Sequence, residues 1–163
     1  MLPALRLGTV LLTALALVPA GAHLLELPNK IGLPREAYLT AQGLYRGWAL
    51  LGAVWIGALV ANLALAVALR RQGRTAWRTA LGAGLLLALS LAVFFAWTWP
   101  ANQATANWTV LPPGWEALRW RWEYSHAANA VLVFLALCLS VLSALGTAER
   151  PERIAGGPKG PQA

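Results

Sequence analysis

The sequence predicts an all-α fold, an integral membrane four-helix bundle with both termini cytoplasmic. Three observations carry that expectation. Hydrophobic residues make up 58% of the chain and charged residues 12%, roughly half the charged share of an ordinary soluble domain, so much of the surface has to face lipid. Four apolar stretches, residues 7–27, 48–69, 79–99 and 125–145, are each long enough, at ~1.5 Å per residue, to cross ~30 Å of hydrocarbon. None shows the strict alternation of a barrel strand, and in lipid the backbone groups must pair within their own segment.

At 163 residues there is room for one domain, set at residues 1–148. The first segment has a rival reading as a signal peptide, with Arg6, an apolar run and Ala20-Gly21-Ala22 as a small-residue cleavage site. Apolar character continues past that site through Leu24, Leu25 and Leu27, and three helices close a bundle less well than four, so an uncleaved helix is expected. The loop of residues 28–47 follows. Pro28 and Pro34 are expected to break the helix there, and Tyr38, Gln42 and Tyr45 recur on a later amphipathic turn. Between the second and third helices Arg70, Arg71, Arg74 and Arg78 crowd one short loop. The net charge of +7 is concentrated there and is not interleaved with aromatics. It therefore reads as a topology signal, and nucleic acid is excluded as a partner.

Orientation follows from the basic residues. With the N-terminus inside, Arg6, the four loop arginines, Arg150, Arg153 and Lys159 lie inside, against Lys30, Arg35, Arg46, Arg119 and Arg121 outside. Small residues at four-residue spacing run along each helix: Gly8, Ala16 and Ala20; Ala49, Ala53, Gly57 and Ala61; Ala80, Gly84, Ala88, Ala92 and Ala96; Ala136, Ser140 and Ala144. Such rows let helix backbones approach closely in lipid. Cys138, the one cysteine, reads as a small buried hydrophobe. Residues 149–163, rich in Pro, Gly and charge, read as a disordered cytoplasmic tail.

The chemistry-bearing residues cluster at the outer ends of the helices. The stretch of residues 100–129 interrupts the apolar composition with Trp108, Trp115, Trp120 and Trp122 among Asn102, Arg119, Glu123 and His126. An aromatic belt explains tryptophans at one depth, but belts form at both interfaces, and the inner one has only Trp77. Arg119, Trp122, His126 and Asn129 recur at steps of three and four and share a helix face, with Glu123 close to that stripe. His23, Glu26 and Lys30 do the same on the first helix. If those helices are neighbours, the two His/Glu pairs face each other, and ionisable groups near a membrane core tend to mark sites.

The leading reading is a pocket for a small aromatic or phenolic ligand. His126, Glu123, Asn102 and Arg119 would supply acid–base and orienting groups, and His23, Glu26, Trp99, Trp108, Trp122 and Asn129 would line it. Two Glu/His pairs also suggest a di-metal site, but the two further glutamates of such sites are missing from the spans. Haem held between His23 and His126 is the third option. Neither metal nor cofactor is expected. The structural alternative is a salt-bridge cluster of Glu26 and Glu123 with Lys30, Arg46 or Arg119, which would make the chain a non-enzymatic module or partner subunit. The Ala, Leu and Arg bias suggests a bacterial inner (plasma) membrane and removes weight from the glycosylation pattern Asn107-Trp108-Thr109.

Pro100-Ala101-Asn102 at the end of the third helix, the Trp-rich connection, and Trp122 four residues before His126 resemble the family of small four-helix membrane proteins that includes the fungal anthrone oxygenases. The resemblance covers roughly residues 7–145. It implies oxidation of a polycyclic, phenol-like carbon by dioxygen without an established cofactor, and by motif it carries over Pro100, Asn102, Trp122 and His126. The family often has an Arg one turn after that histidine, where this chain has Asn129.

Overall fold

The regular structure is helical in the computed structural model, which describes residues 1–146. Helix α1 is Leu2–Lys30, α2 is Arg35–Gly43, α3 is Leu51–Leu69 entered through a 3-10 turn at Trp48–Leu50, and α4 is Arg74–Val93. A π-helical turn at Phe94–Thr98 joins α4 to α5, Trp99–Ala104, and α6 is Trp115–Leu145. Among the described residues there is no strand. Four continuous helices, Leu2–Lys30, Trp48–Leu69, Arg74–Ala104 and Trp115–Leu145, are long and apolar enough to cross a membrane. The tail assigned to residues 149–163 lies outside the described residues.

Helix α1 packs on α3 and α6, and α4 packs on the same two, so the bundle is a ring in the order α1, α3, α4, α6. Its middle layer is Ala16, Ala58, Ala83, Leu87, Val133 and Ala136. Next to that layer Asn62, fully buried on α3, donates to Thr13 Oγ1 at 3.0 Å and accepts from Ser140 Oγ at 2.7 Å, linking three helices. One end is closed by Leu65, Ala66, Leu69, Ala76 and Ala80. Arg6 donates there to Gly146 O and Ser143 to Ala76 O, so the chain start, the arginine loop and the end of α6 share this arginine end. The opposite end is capped by α2 and by Tyr38, Ala101, Trp108, Leu111, Trp115 and Trp122.

Three expectations change. Pro28 does not break α1, which continues to Lys30; the proline removes one backbone donor near the helix end, where little of the ladder remains to lose. Pro34, by contrast, precedes α2 as its N-cap. The four-residue rows stay buried on α1 at Ala16 and Ala20 and on α6 at Ala136 and Ser140, but on α3 and α4 they leave the packing face. On α3 the buried residues are Ala58, Asn62, Leu65, Ala66 and Leu69, whereas Ala49 and Ala53 are exposed and Gly57 and Ala61 only partly buried; on α4, Ala88, Ala92 and Ala96 are exposed. Cys138 is exposed on the flank of α6.

Candidate functional site

Because α1 stays helical through Pro28, His23, Glu26 and Lys30 keep one face. Because α6 begins at Trp115, Arg119, Trp122, Glu123 and His126 keep another. The α1–α6 contact brings these faces together. The His23 and His126 rings lie 4.2 Å apart, and His23 is buried. Tyr45, Trp48 and Trp122 surround His23 at 4.4, 5.7 and 4.9 Å, and Trp122 lies 4.1 Å from His126.

Lys30 is the hub beside the histidines. It is 5% exposed, and its ammonium lies 3.2 Å from Glu123 Oε1 and 3.7 Å from Glu26 Oε2, donating also to Tyr45 Oη at 2.8 Å. It sits over the Tyr45 and Trp122 rings as well. The Tyr45 hydroxyl donates to Glu26. Glu123, with no exposed surface, accepts from Tyr38 Oη at 3.0 Å, and Gln42 Nε2 donates to that same phenol at 2.6 Å. Burial, and then the neighbouring Glu123 carboxylate, raise the Tyr38 phenol above its ordinary pKa. Burial and the hydrogen bond to Glu26 do the same for Tyr45. Both phenols therefore remain hydrogen-bond donors.

Of the ten residues singled out from sequence, His23, Glu26, Trp122, Glu123 and His126 meet here. Asn102 and Trp108 form an adjoining layer. Asn102 Oδ1 accepts from the indoles of Trp108 at 3.2 Å and Trp122 at 2.8 Å, which orients the Trp122 wall. Trp108 reaches this position through consecutive left-handed residues, Ala106, Asn107 and Trp108, with φ of 46°, 56° and 62°. Such backbone is unfavourable for residues with side chains; the Trp108 amide bond to Thr105 Oγ1 at 3.1 Å helps hold it. Arg119 turns aside, donating to Leu33 O at 2.7 Å and lying over Trp115 and Tyr38. Trp99 is exposed and packs near Phe94, apart from the cluster. Asn129, about one turn beyond His126, is fully buried, and neither of its side-chain polar atoms has a partner. His23 Nδ1 and Glu123 Oε2 are unpartnered in the same way.

The pairing of Lys30 with Glu26 and Glu123 is the salt-bridge alternative drawn from the sequence; Tyr38, Gln42, Tyr45 and Trp48 are the part that the sequence reading leaves without a role. The available signal is the spacing of Tyr38, Gln42 and Tyr45, which sets three polar side chains on one stripe.

An apolar groove of about 290 Å³ opens between α1 and α6, and its lining is wholly apolar and includes neither His23 nor His126. Leu24, adjacent to His23, and Ala130, one turn from His126, line it, with Gly21 forming part of the α1 wall. Among the described residues no group of three or more His, Cys, Asp or Glu side chains could hold a metal ion.

These are the features of an all-helical, multi-pass membrane protein with a buried ionisable cluster at one end of its bundle. Comparison with protein-family models, curated proteins and solved structures finds no match.

Proposed function

We propose that this protein is a small-molecule-binding, oxygenase-like membrane protein of the bacterial inner membrane, with both termini cytoplasmic and the histidine cluster at the outer end. Its ligand is an aromatic or phenolic molecule held in the α1–α6 groove with its polar edge toward His23 and His126. The observation that carries this reading is an apolar groove on the same two helices as the histidine pair, lined by Leu24, next in the chain to His23, and by Ala130, one turn beyond His126. Apolar clefts with a few convergent polar groups are the usual form of ligand sites. The unpartnered atoms of His23, Glu123 and Asn129 add to it, because buried polar groups ordinarily find partners.

In this reading the partly buried His126 acts as the base toward a phenolic O–H or an activated C–H. Glu123, Asn102 and Arg119 contribute by position: Glu123 through Lys30 and Tyr38, Asn102 through Trp122, and Arg119 through the loop at Leu33. The resemblance to anthrone oxygenases adds dioxygen as the oxidant, converting an aromatic-flanked CH2 to C=O with release of water.

A second reading has its own observation. The chain Gln42–Tyr38–Glu123–Lys30–Tyr45–Glu26 is paired end to end, which is what a clasp joining α1, α2 and α6 in a non-enzymatic module requires. A thermal-shift screen of aromatic and phenolic compounds on the purified full chain separates the two. Gly21→Leu fills the groove wall at a position where an added Cβ meets no atom within 4 Å, and His126→Gln removes the base. Both variants are expected to melt like the parent, Gly21→Leu losing compound protection and His126→Gln losing turnover. Unfolding of His126→Gln, with no compound protecting the parent, would leave the clasp as the function.

A further inference from the structure

At the arginine end a second apolar groove, of about 240 Å³, runs between α3 and α4. Its walls are Leu63, Ala66 and Val67 on one side and Trp77 and Leu81 on the other, with Arg70 at its rim. The Arg78 guanidinium lies 6.0 Å from the Trp77 ring centroid. Arg71 follows Arg70 on the connecting turn, Arg74 opens α4, and all four arginines are exposed. Among the described residues the only ion pairs are those of Lys30 at the opposite end, so no described acid neutralises this loop.

We propose that this groove is a binding site for an anionic phospholipid. One acyl chain lies against Leu63, Val67 and Leu81, and the headgroup phosphate is held by Arg70 with Arg74 and Arg78. The argument is the coincidence of two complementary surfaces. An apolar cleft between helices in a bilayer takes an acyl chain, and it leads at its rim to a dense cationic cluster. Guanidinium groups match phosphate oxygens in charge and in bidentate geometry. Basic pockets between membrane helices are where anionic headgroups bind. The loop arginines, which by sequence alone only orient the chain, thereby acquire a ligand.

The test titrates the full-length detergent-solubilised protein with phosphatidylglycerol and with phosphatidylcholine of the same acyl chains, following melting temperature and lipid adducts by native mass spectrometry. Phosphatidylglycerol is expected to bind in preference, with the preference falling as salt rises. Arg70→Gln, Arg74→Gln and Arg78→Gln should each weaken it about five-fold. Arg121→Gln, at the other end, should leave it unchanged. Val67→Trp fills the groove from an exposed position and should weaken phosphatidylglycerol binding while the lipid-free protein melts as before. Equal binding of the two lipids, or a preference that survives all three loop substitutions, overturns the proposal. So does full binding by Val67→Trp, which reduces the effect to headgroup attraction alone, and so does equal stabilisation by glycerol 3-phosphate, which has no acyl chain.

Discussion

The Lys30–Glu123 pair sets the terms for the cluster around it. Both side chains are nearly or wholly removed from solvent, at 6% and 0% exposure, so removing one partner strands the other as a buried charge. Glu123→Leu is expected to cost about 3–5 kcal/mol, toward the lower figure because Glu26 remains 3.7 Å from the ammonium. Glu26→Gln should cost no more than ~1 kcal/mol, since that carboxylate side chain is 41% exposed. The double variant Lys30→Met with Glu123→Leu removes both charges and should recover most of the loss. Thermal unfolding in detergent for the four proteins checks this; a double variant as unstable as Glu123→Leu alone would show that the Lys30–Glu123 charge pair is not the source. At this scale the sequence is informative where spacing and chemistry coincide. His23 with Glu26 and Glu123 with His126 stand on visible stripes and do meet. Whether Glu123 would choose Lys30 or Arg119 is not readable from spacing, because that choice depends on where the α1–α2 connection passes. Leu33 O captures Arg119 and leaves the carboxylate to Lys30.

At the scale of the element, the rows of small residues on α3 and α4 mislead for a geometric reason. A step of four residues turns an ideal helix by about 400°, so the row rotates by roughly 40° each time. Five members drift by about 160° and walk from the packing face to the lipid. On α4 the buried residues instead mix steps of three and four, through Ala76, Ala80, Ala83, Leu87 and Ser90. Gly84 does remain at a close approach, where an added Cβ would lie 2.7 Å from Leu63 Cδ2. The two registers make opposite predictions for neighbouring alanines. Ala83, with no exposed surface, should tolerate leucine poorly, with a loss of about 1–3 kcal/mol from overpacking. Ala88→Leu, on the exposed flank, should change the melting temperature little. The reverse order would restore the four-residue row as the interface. The helices themselves are legible because hydropathy is summed over many residues. Their ends are less so: the first turns of α6 carry Glu116, Arg119, Arg121 and Glu123 and escape a hydropathy window, although their buried face includes Trp115, Arg119 and Trp122.

Across the whole molecule, charge divides sharply between the two ends. The arginine end holds Arg6, Arg70, Arg71, Arg74 and Arg78 and no acid among the described residues. The α2 end holds Lys30, Arg35, Arg46, Arg119 and Arg121 together with Glu26, Glu36, Glu116 and Glu123. Positive-inside bias counts Lys and Arg rather than net charge, and by that count the described ends are equal, at five each. What differs is placement. Four arginines fall within nine residues, Arg70 and Arg71 on the short turn between α3 and α4 and Arg74 and Arg78 on the first turns of α4, next to a short loop, the case in which the rule is strongest, and the α2 end spreads its basic residues along a longer connection and the head of α6. Lys30 and Arg119 are also buried there, with partners that reduce their weight as retention signals. The expected topology therefore puts the arginine loop, the start of α1 and the end of α6 in the cytoplasm. A reporter active only in the cytoplasm should give signal when fused after Gly146 or inserted at Gly73 in the loop, and none when inserted after Pro113. Reversed signals would move the histidine cluster to the cytoplasmic face, where its ligand would have to come from the cell interior.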